Sequence, residues 1–168
     1  RDGNAEMVTD PTLKRWHDLM AKGGADAQAA MMELIAAQTQ KKLPQLIMDP
    51  RFAKTTWERN NDFAEKYNEP GRFTAFIGYE WTSNTGGNNL HRNVIFRDAA
   101  DKASQVEPLT VYPPVGSDNP RDLWKWMAAY EKKTGGNVLA IAHNGNLSNG
   151  RMFSIIESFT GKPIDRAY

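Results

Sequence analysis

Residues 137–150 read NVLAIAHNGNLSNG. Val138 to Ala142 is a short apolar run rich in strand formers, and it stops abruptly at His143. Only Asn, Gly, Ser and Leu follow, through Gly150. A run of five such residues bounded by turn chemistry predicts a buried strand. What precedes it is helical. Asn119-Pro120 offers a side-chain cap and then a proline at the first helical position, and Leu123, Trp124, Trp126, Met127 and Tyr130 recur with helical spacing up to Thr134-Gly135-Gly136. A helix delivered straight into a strand argues for α/β packing, with the helix as a βαβ crossover. In such packing chemistry gathers where strands end, which makes His143 and its loop either a reaction-site floor or an ordinary strand exit.

Upstream, residues 73–79 (FTAFIGY) are aromatic and β-branched and predict another buried strand, ending at Glu80. WTSNTGGNNL follows, with Gly86-Gly87 at its tip, and His91 opens a strand through Arg97, HRNVIFR. A long loop over 98–119 contains Pro108, Pro113, Pro114 and Gly116; loops of that length are often lids or binding segments. Residues 11–42 are predicted as two helices divided at Gly23-Gly24, with Trp16, Met20, Met31, Met32 and Ile35 as core positions and His17 as a structural or solvent-facing residue. A further helix over 52–67 stops at Asn68-Glu69-Pro70-Gly71, and a short helical segment is expected near 153–159. The organisation expected is a helical N-terminal segment, 1–50, and an α/β part, 51–168.

The 168 residues suffice for one substantial core. With 21 basic and 20 acidic residues interspersed, the net charge is +1 and no basic stripe stands out, so nucleic acid is not an expected partner. A small anionic substrate remains open. No apolar run approaches membrane-spanning length. Cysteine is absent, which excludes disulfides, thiolate metal sites and cysteine nucleophiles.

Topology suggests where the chemistry lies. If strands 73–80 and 91–97 form a hairpin, Glu80 and His91 share one edge of the sheet. If strand 138–142 runs parallel to the first, His143 reaches the same edge. Two imidazoles and a carboxylate suit a divalent ion such as manganese, zinc or iron; hydrogen-bonded strand-edge histidines are the alternative. Arg92 is placed to hold a phosphate, or else to form a surface ion pair. Asn144, Asn146 and Ser148 are placed to orient a ligand, or else to serve the turn. Trp81 would wall the pocket or pack in the core.

Three stretches, GRFTAFIGYEWTS, GGNNLHRNVIFRD and DLWKWMAAYEKKTGGNVLAIAHNGNLSNGRMF, resemble a bacterial family of unknown function that looks like a branch of the PHP (polymerase and histidinol phosphatase) superfamily. The resemblance covers roughly residues 55–168. It implies a distorted (β/α) barrel with two or three divalent metals at the strand C-terminal ends, and hydrolysis of phosphate esters. It places Glu80 at the metal-bridging glutamate, His91 at the histidine that follows, and His143 at a later strand-end histidine, with Asn144 where many relatives have proline. The superfamily's opening His-x-His, its Asp-His pair and its final Asp-x-His are missing here, so the resemblance implies an internal part of a longer barrel, open-edged and prone to self-association. A periplasmic or secreted home is the lean it gives.

The expectation is therefore a metal-dependent phosphoesterase acting on a small phosphorylated or anionic substrate, with Glu80, His91 and His143 as metal ligands and Arg92, Asn144 and Asn146 as substrate contacts. Rival readings are a non-catalytic interaction domain presenting Trp124, Trp126 and the proline-rich loop, and a mononuclear iron oxygenase, which uses the same two-histidine, one-carboxylate set.

Overall fold

The computed structural model describes residues 5, 7–40, 42–112 and 116–165; Pro113 and Pro114 of the long loop lie outside them. It is a mixed α/β chain that divides into two compact units, residues 1–56 and 57–168, the division falling inside a helix. Among the described residues there are five α-helices and two small antiparallel sheets, and no closed barrel. None of the helices is long and apolar enough to cross a membrane.

The first unit is built on α1 (Pro11–Lys22) and α2 (Gly24–Thr39). Asp10 Oδ1 accepts hydrogen bonds from the amides of Thr12 (2.8 Å) and Leu13 (3.0 Å), satisfying two of the donors that a helix start leaves unpaired. Such a cap is worth about 1 kcal/mol. Leu13, Trp16 and Ala30 form the core, with Leu46 and Ile47 of a single 3-10 turn packed against it. Trp16 Nε1 donates to Glu33, which also pairs with Arg15. Met20, Met31, Met32 and Ile35 were expected in this core, but they are 38%, 48%, 60% and 47% exposed. The apolar residues of α2 are scattered around the helix, so only a narrow stripe meets α1.

Helix α3 (Pro50–Tyr67) runs into the second unit, where its Trp57 and Asn61 are buried. The main sheet has the order β1-β4-β5, comprising β1 (Gly78–Trp81), β4 (Arg92–Phe96) and β5 (Val138–Ala142). Between β1 and β4 the chain makes a small hairpin, β2 (Asn84–Thr85) and β3 (Asn88–Asn89). Its turn is Gly86-Gly87, both at positive φ (59° and 79°), a backbone that side-chain-bearing residues adopt reluctantly. Helix α4 (Ala100–Ala103) is one turn, and α5 (Pro120–Thr134) leads into β5. The expected hairpin pairing of the first two strands holds: β1 is antiparallel to β4, with Glu80 opposite Asn93 and Trp81 opposite Arg92.

Three expectations are corrected. β4 and β5 pair antiparallel, Arg92 opposite Ala142, so α5 is not a βαβ crossover; β1 and β5 do point the same way, but with β4 between them. The first strand is shorter than its aromatic sequence suggested, for Phe73 and Phe76 are 60% and 64% exposed and only Gly78–Trp81 is strand. Residues 153–159 form turns, pinned by an isolated bridge between Ile156 and Pro163 and by Arg121 at the start of α5, which pairs with the buried Glu157.

Strand alternation gives the sheet two unlike faces. Trp81, Val94 and Phe96 point to one and are fully buried with Trp57, Leu123 and Tyr130. Glu80, Asn93 and Ile141 share the other, where Leu139 and Ile141 stay 60% and 46% exposed.

Where β4 leaves the sheet, Asp98 Oδ2 accepts from Tyr130 Oη (2.8 Å) and from the Asn137 amide (2.6 Å), and Oδ1 lies 3.4 Å from Lys102 Nζ. A Cβ on Gly136 would collide with this carboxylate, so glycine is needed there. Burial pushes the Asp98 carboxyl up, but its hydrogen bonds and Lys102 outweigh that, and its pKa is held below the usual range. A carboxyl depressed in the folded state stabilises above its unfolded value, about 3.9, and that contribution is lost as pH falls through the folded one. Asp98→Asn should lower the Tm at pH 6 and flatten the fall in Tm between pH 5 and pH 3. Parallel acid limbs in the two proteins would show that Asp98 contributes nothing to the acid sensitivity.

Candidate functional site

β1 ends, β4 begins and β5 ends at the same edge of the sheet. That geometry brings together the three residues predicted as ligands. The His143 amide donates to the His91 carbonyl (3.0 Å), extending the β4–β5 ladder by one step and fixing the two histidines side by side. Glu80 comes from the neighbouring strand on the same face. Its Oε1 stands 2.8 Å from His91 Nδ1 and 3.6 Å from His143 Nε2. One carboxylate oxygen is thus shared between two imidazoles. The side chain of His91 is only 12% exposed, whereas Glu80 and His143 are 40% and 39% exposed, so the cluster sits at a rim.

As the side chains stand they touch one another. Among the described residues no group of three or more His, Asp or Glu is set to hold a metal ion. Yet one atom has no protein partner: His91 Nε2 is buried and makes no hydrogen bond. A buried polar nitrogen left unsatisfied costs on the order of 1–3 kcal/mol. The carboxylate accepts from Nδ1–H, which leaves Nε2 with a free lone pair. An imidazole oriented by a carboxylate, with its second nitrogen free, is the arrangement metal-binding histidines adopt. The donor set and this orphaned atom fit a divalent ion once the exposed Glu80 side chain turns, a rotation that breaks no backbone contact.

The other predicted site residues are placed differently. Arg92 points to the core face and is buried (6% exposed). Its guanidinium donates to the Leu90 carbonyl (3.0 Å) and the His91 carbonyl (3.1 Å), touches Met152 Sδ and lies over the Trp124 ring. It braces the turn into β4 rather than standing at the rim. Asn144 follows His143 in the left-handed region (φ 55°), where asparagine is tolerated better than most residues. It opens the 3-10 turn Gly145–Leu147, in which Asn146 is exposed. Ser148 is buried and donates to the Gly145 carbonyl (2.6 Å), so it serves the turn. Trp81 packs in the core, with Nε1 donating to the Ser117 carbonyl (3.1 Å).

Two features were not singled out from sequence. Asn93 occupies the position directly across from Glu80, on the open face. The signal was present in the alternation of HRN, which puts His91 and Asn93 on one side and Arg92 on the other. The second feature is the junction between the β2–β3 hairpin and the loop after β5, where Asn149 Nδ2 donates to Asn88 Oδ1 (2.9 Å). Nothing local in sequence marks a contact between residues 61 positions apart.

No curated protein and no solved structure matches this chain. A family model matches residues 1–168 in full, and the chain belongs to that family, described as "Protein of unknown function (DUF3604)".

Proposed function

We propose that this chain carries part of the divalent-metal site of a phosphoester hydrolase built on a PHP-like barrel, with Glu80, His91 and His143 as ligands. The observation that carries the reading is the convergence of three strand ends on one carboxylate oxygen, beside a buried imidazole nitrogen with no protein partner. Manganese, zinc and iron all accept this donor set. Bound there, the metal supplies a water of lowered pKa and positive charge against a phosphoryl oxygen.

The chain's own residues do the rest. His91 is fixed beside His143 by the bond from the His143 amide to its carbonyl, and Glu80, which meets its Nδ1, is the exposed member that turns to the metal. Glu80 supplies the negative charge that neutral imidazoles lack. His143 and Glu80, both well exposed, form the solvent side of the site, where a small phosphorylated substrate would enter.

Elemental analysis after incubation with manganese, zinc and iron tests this. The wild-type protein should retain near-stoichiometric metal, and the His91→Ala/His143→Ala variant should lose it while keeping its far-UV spectrum. Equal metal content in the two proteins would sink the proposal.

A further inference from the structure

Two stretches beside the Glu80 cluster carry no charge. Neither residues 82–90 nor residues 144–150 contain a single Asp, Glu, Lys or Arg, in a chain that is 24% charged. They contain six asparagines instead: 84, 88 and 89 in the hairpin, 144, 146 and 149 in the loop. Three of these have structural work. Asn88 donates to the Thr85 and Gly86 carbonyls and closes the hairpin turn. Asn149 bridges to Asn88, and both Asn144 and Asn149 hold positive-φ positions. The remaining carboxamides, of Asn84, Asn89 and Asn146, make no hydrogen bond among the described residues, and neither does that of Asn93 beside Glu80. Asn84 and Asn89 are directly paired across the hairpin.

An aromatic ring lies on the same rim. Phe153 is 80% exposed, and its Cε2 comes within 3.5 Å of where a Cβ on Gly145 would be, so the ring rests against the loop that follows His143. Arg151, exposed, is the cation of this loop, and the nearby Arg92 is committed to the core. The Arg151 guanidinium donates to hydroxyl oxygens as well as to anions. Neutral amides, each both donor and acceptor, next to an exposed aromatic face suit a ligand with many hydroxyls and an apolar ring face.

We propose that the β2–β3 hairpin and the loop 144–153 form a carbohydrate-binding wall, in which Asn84, Asn89, Asn93 and Asn146 bond sugar hydroxyls and Phe153 stacks on the pyranose ring. It rests on the hydrolase reading only in making that sugar the alcohol portion of the ester. The recognition itself requires no metal.

Saturation-transfer NMR on metal-free protein, with the methyl glycosides of glucose, galactose, mannose and N-acetylglucosamine, tests it. At least one glycoside should show transfer, which Asn146→Ala/Phe153→Ala reduces fivefold or more. Both substituted side chains are exposed, so the variant should keep the wild-type Tm. No transfer from any glycoside, or equal transfer in the Asn146→Ala/Phe153→Ala variant, overturns the proposal. So does binding of inorganic phosphate to the metal-free protein, read as 31P line broadening, in place of any glycoside. Glycoside binding in a protein that takes up no metal would leave the wall standing and remove the hydrolase.

Discussion

Phe96→Ala should destabilise the second unit by about 3–5 kcal/mol, a large share of the roughly 5–15 kcal/mol that holds a typical domain folded. Phe96 is fully buried at the end of β4. Its ring meets Trp57 at 5.4 Å, Trp126 at 6.2 Å and Tyr130 at 5.0 Å, the last two edge-to-face. Removing it takes apolar area out of the core and also leaves a void between α3, α5 and the sheet. Helix α3 is tied elsewhere, by Trp57 Nε1 donating to the Ala103 carbonyl of α4 (3.1 Å), so it cannot close over the void freely. The Tm read by near-UV circular dichroism, which follows the packed tryptophans, should fall by more than about 10 °C. Phe76→Ala is the control, because Phe76 is 64% exposed and its loss should stay within roughly 0.5 kcal/mol. Equal shifts in the two variants would contradict the placement of the core.

The contrast between these two phenylalanines also measures how far sequence carried the fold. Both sit in runs that look like buried strand. Phe96 lies in one whose burial alternates strictly from Arg92 to Phe96, following the pleat. Phe73 and Phe76 lie in a run whose aromatic content outweighs its pattern, and no partner strand covers it among the described residues. Helix limits were far more legible. Asp10-Pro11, Gly23, Asn119-Pro120 and Gly135 act on the chain within a turn of themselves, and each marks a helix end in the structure. Strand pairing is non-local. Whether α5 joins parallel or antiparallel neighbours depends on where β4 lies, and nothing between residues 97 and 138 encodes it locally.

The candidate site shows the same division. Glu80, His91 and His143 were legible because each ends or begins a strand, and any pairing that aligns those ends brings them together. Arg92 was not, because its fate depends on strand phase: one residue along from His91, it turns to Met152 and Trp124 on the opposite face. Asn93 was hidden for the converse reason. An asparagine within a strand carries no signal of its own, and only the register that sets it opposite Glu80 gives it a place.

Glu80→Gln is the sharpest test of the chemistry. Glutamine keeps the shape of the side chain and a carbonyl oxygen to accept from His91 Nδ1, so it removes charge and little else. The contacts to His91 and His143 that it weakens are partly solvent-exposed, so the Tm should scarcely move. Metal affinity should fall at least about 10–100-fold, the loss expected when even an orienting carboxylate of a metal-bound histidine is replaced. Hydrolysis of p-nitrophenyl phosphate by the protein that bears this chain should fall by on the order of 10²–10³-fold, as when one preorganised electrostatic group is lost from a site. The pattern matters more than either number. A Tm held constant while metal and hydrolysis fall together assigns Glu80 to the reaction site. Hydrolysis retained at the wild-type rate would reject the metallophosphoesterase, whatever the metal content. A Tm that fell with everything else unchanged would make Glu80 the brace of two strand-edge histidines, and the cluster a structural one.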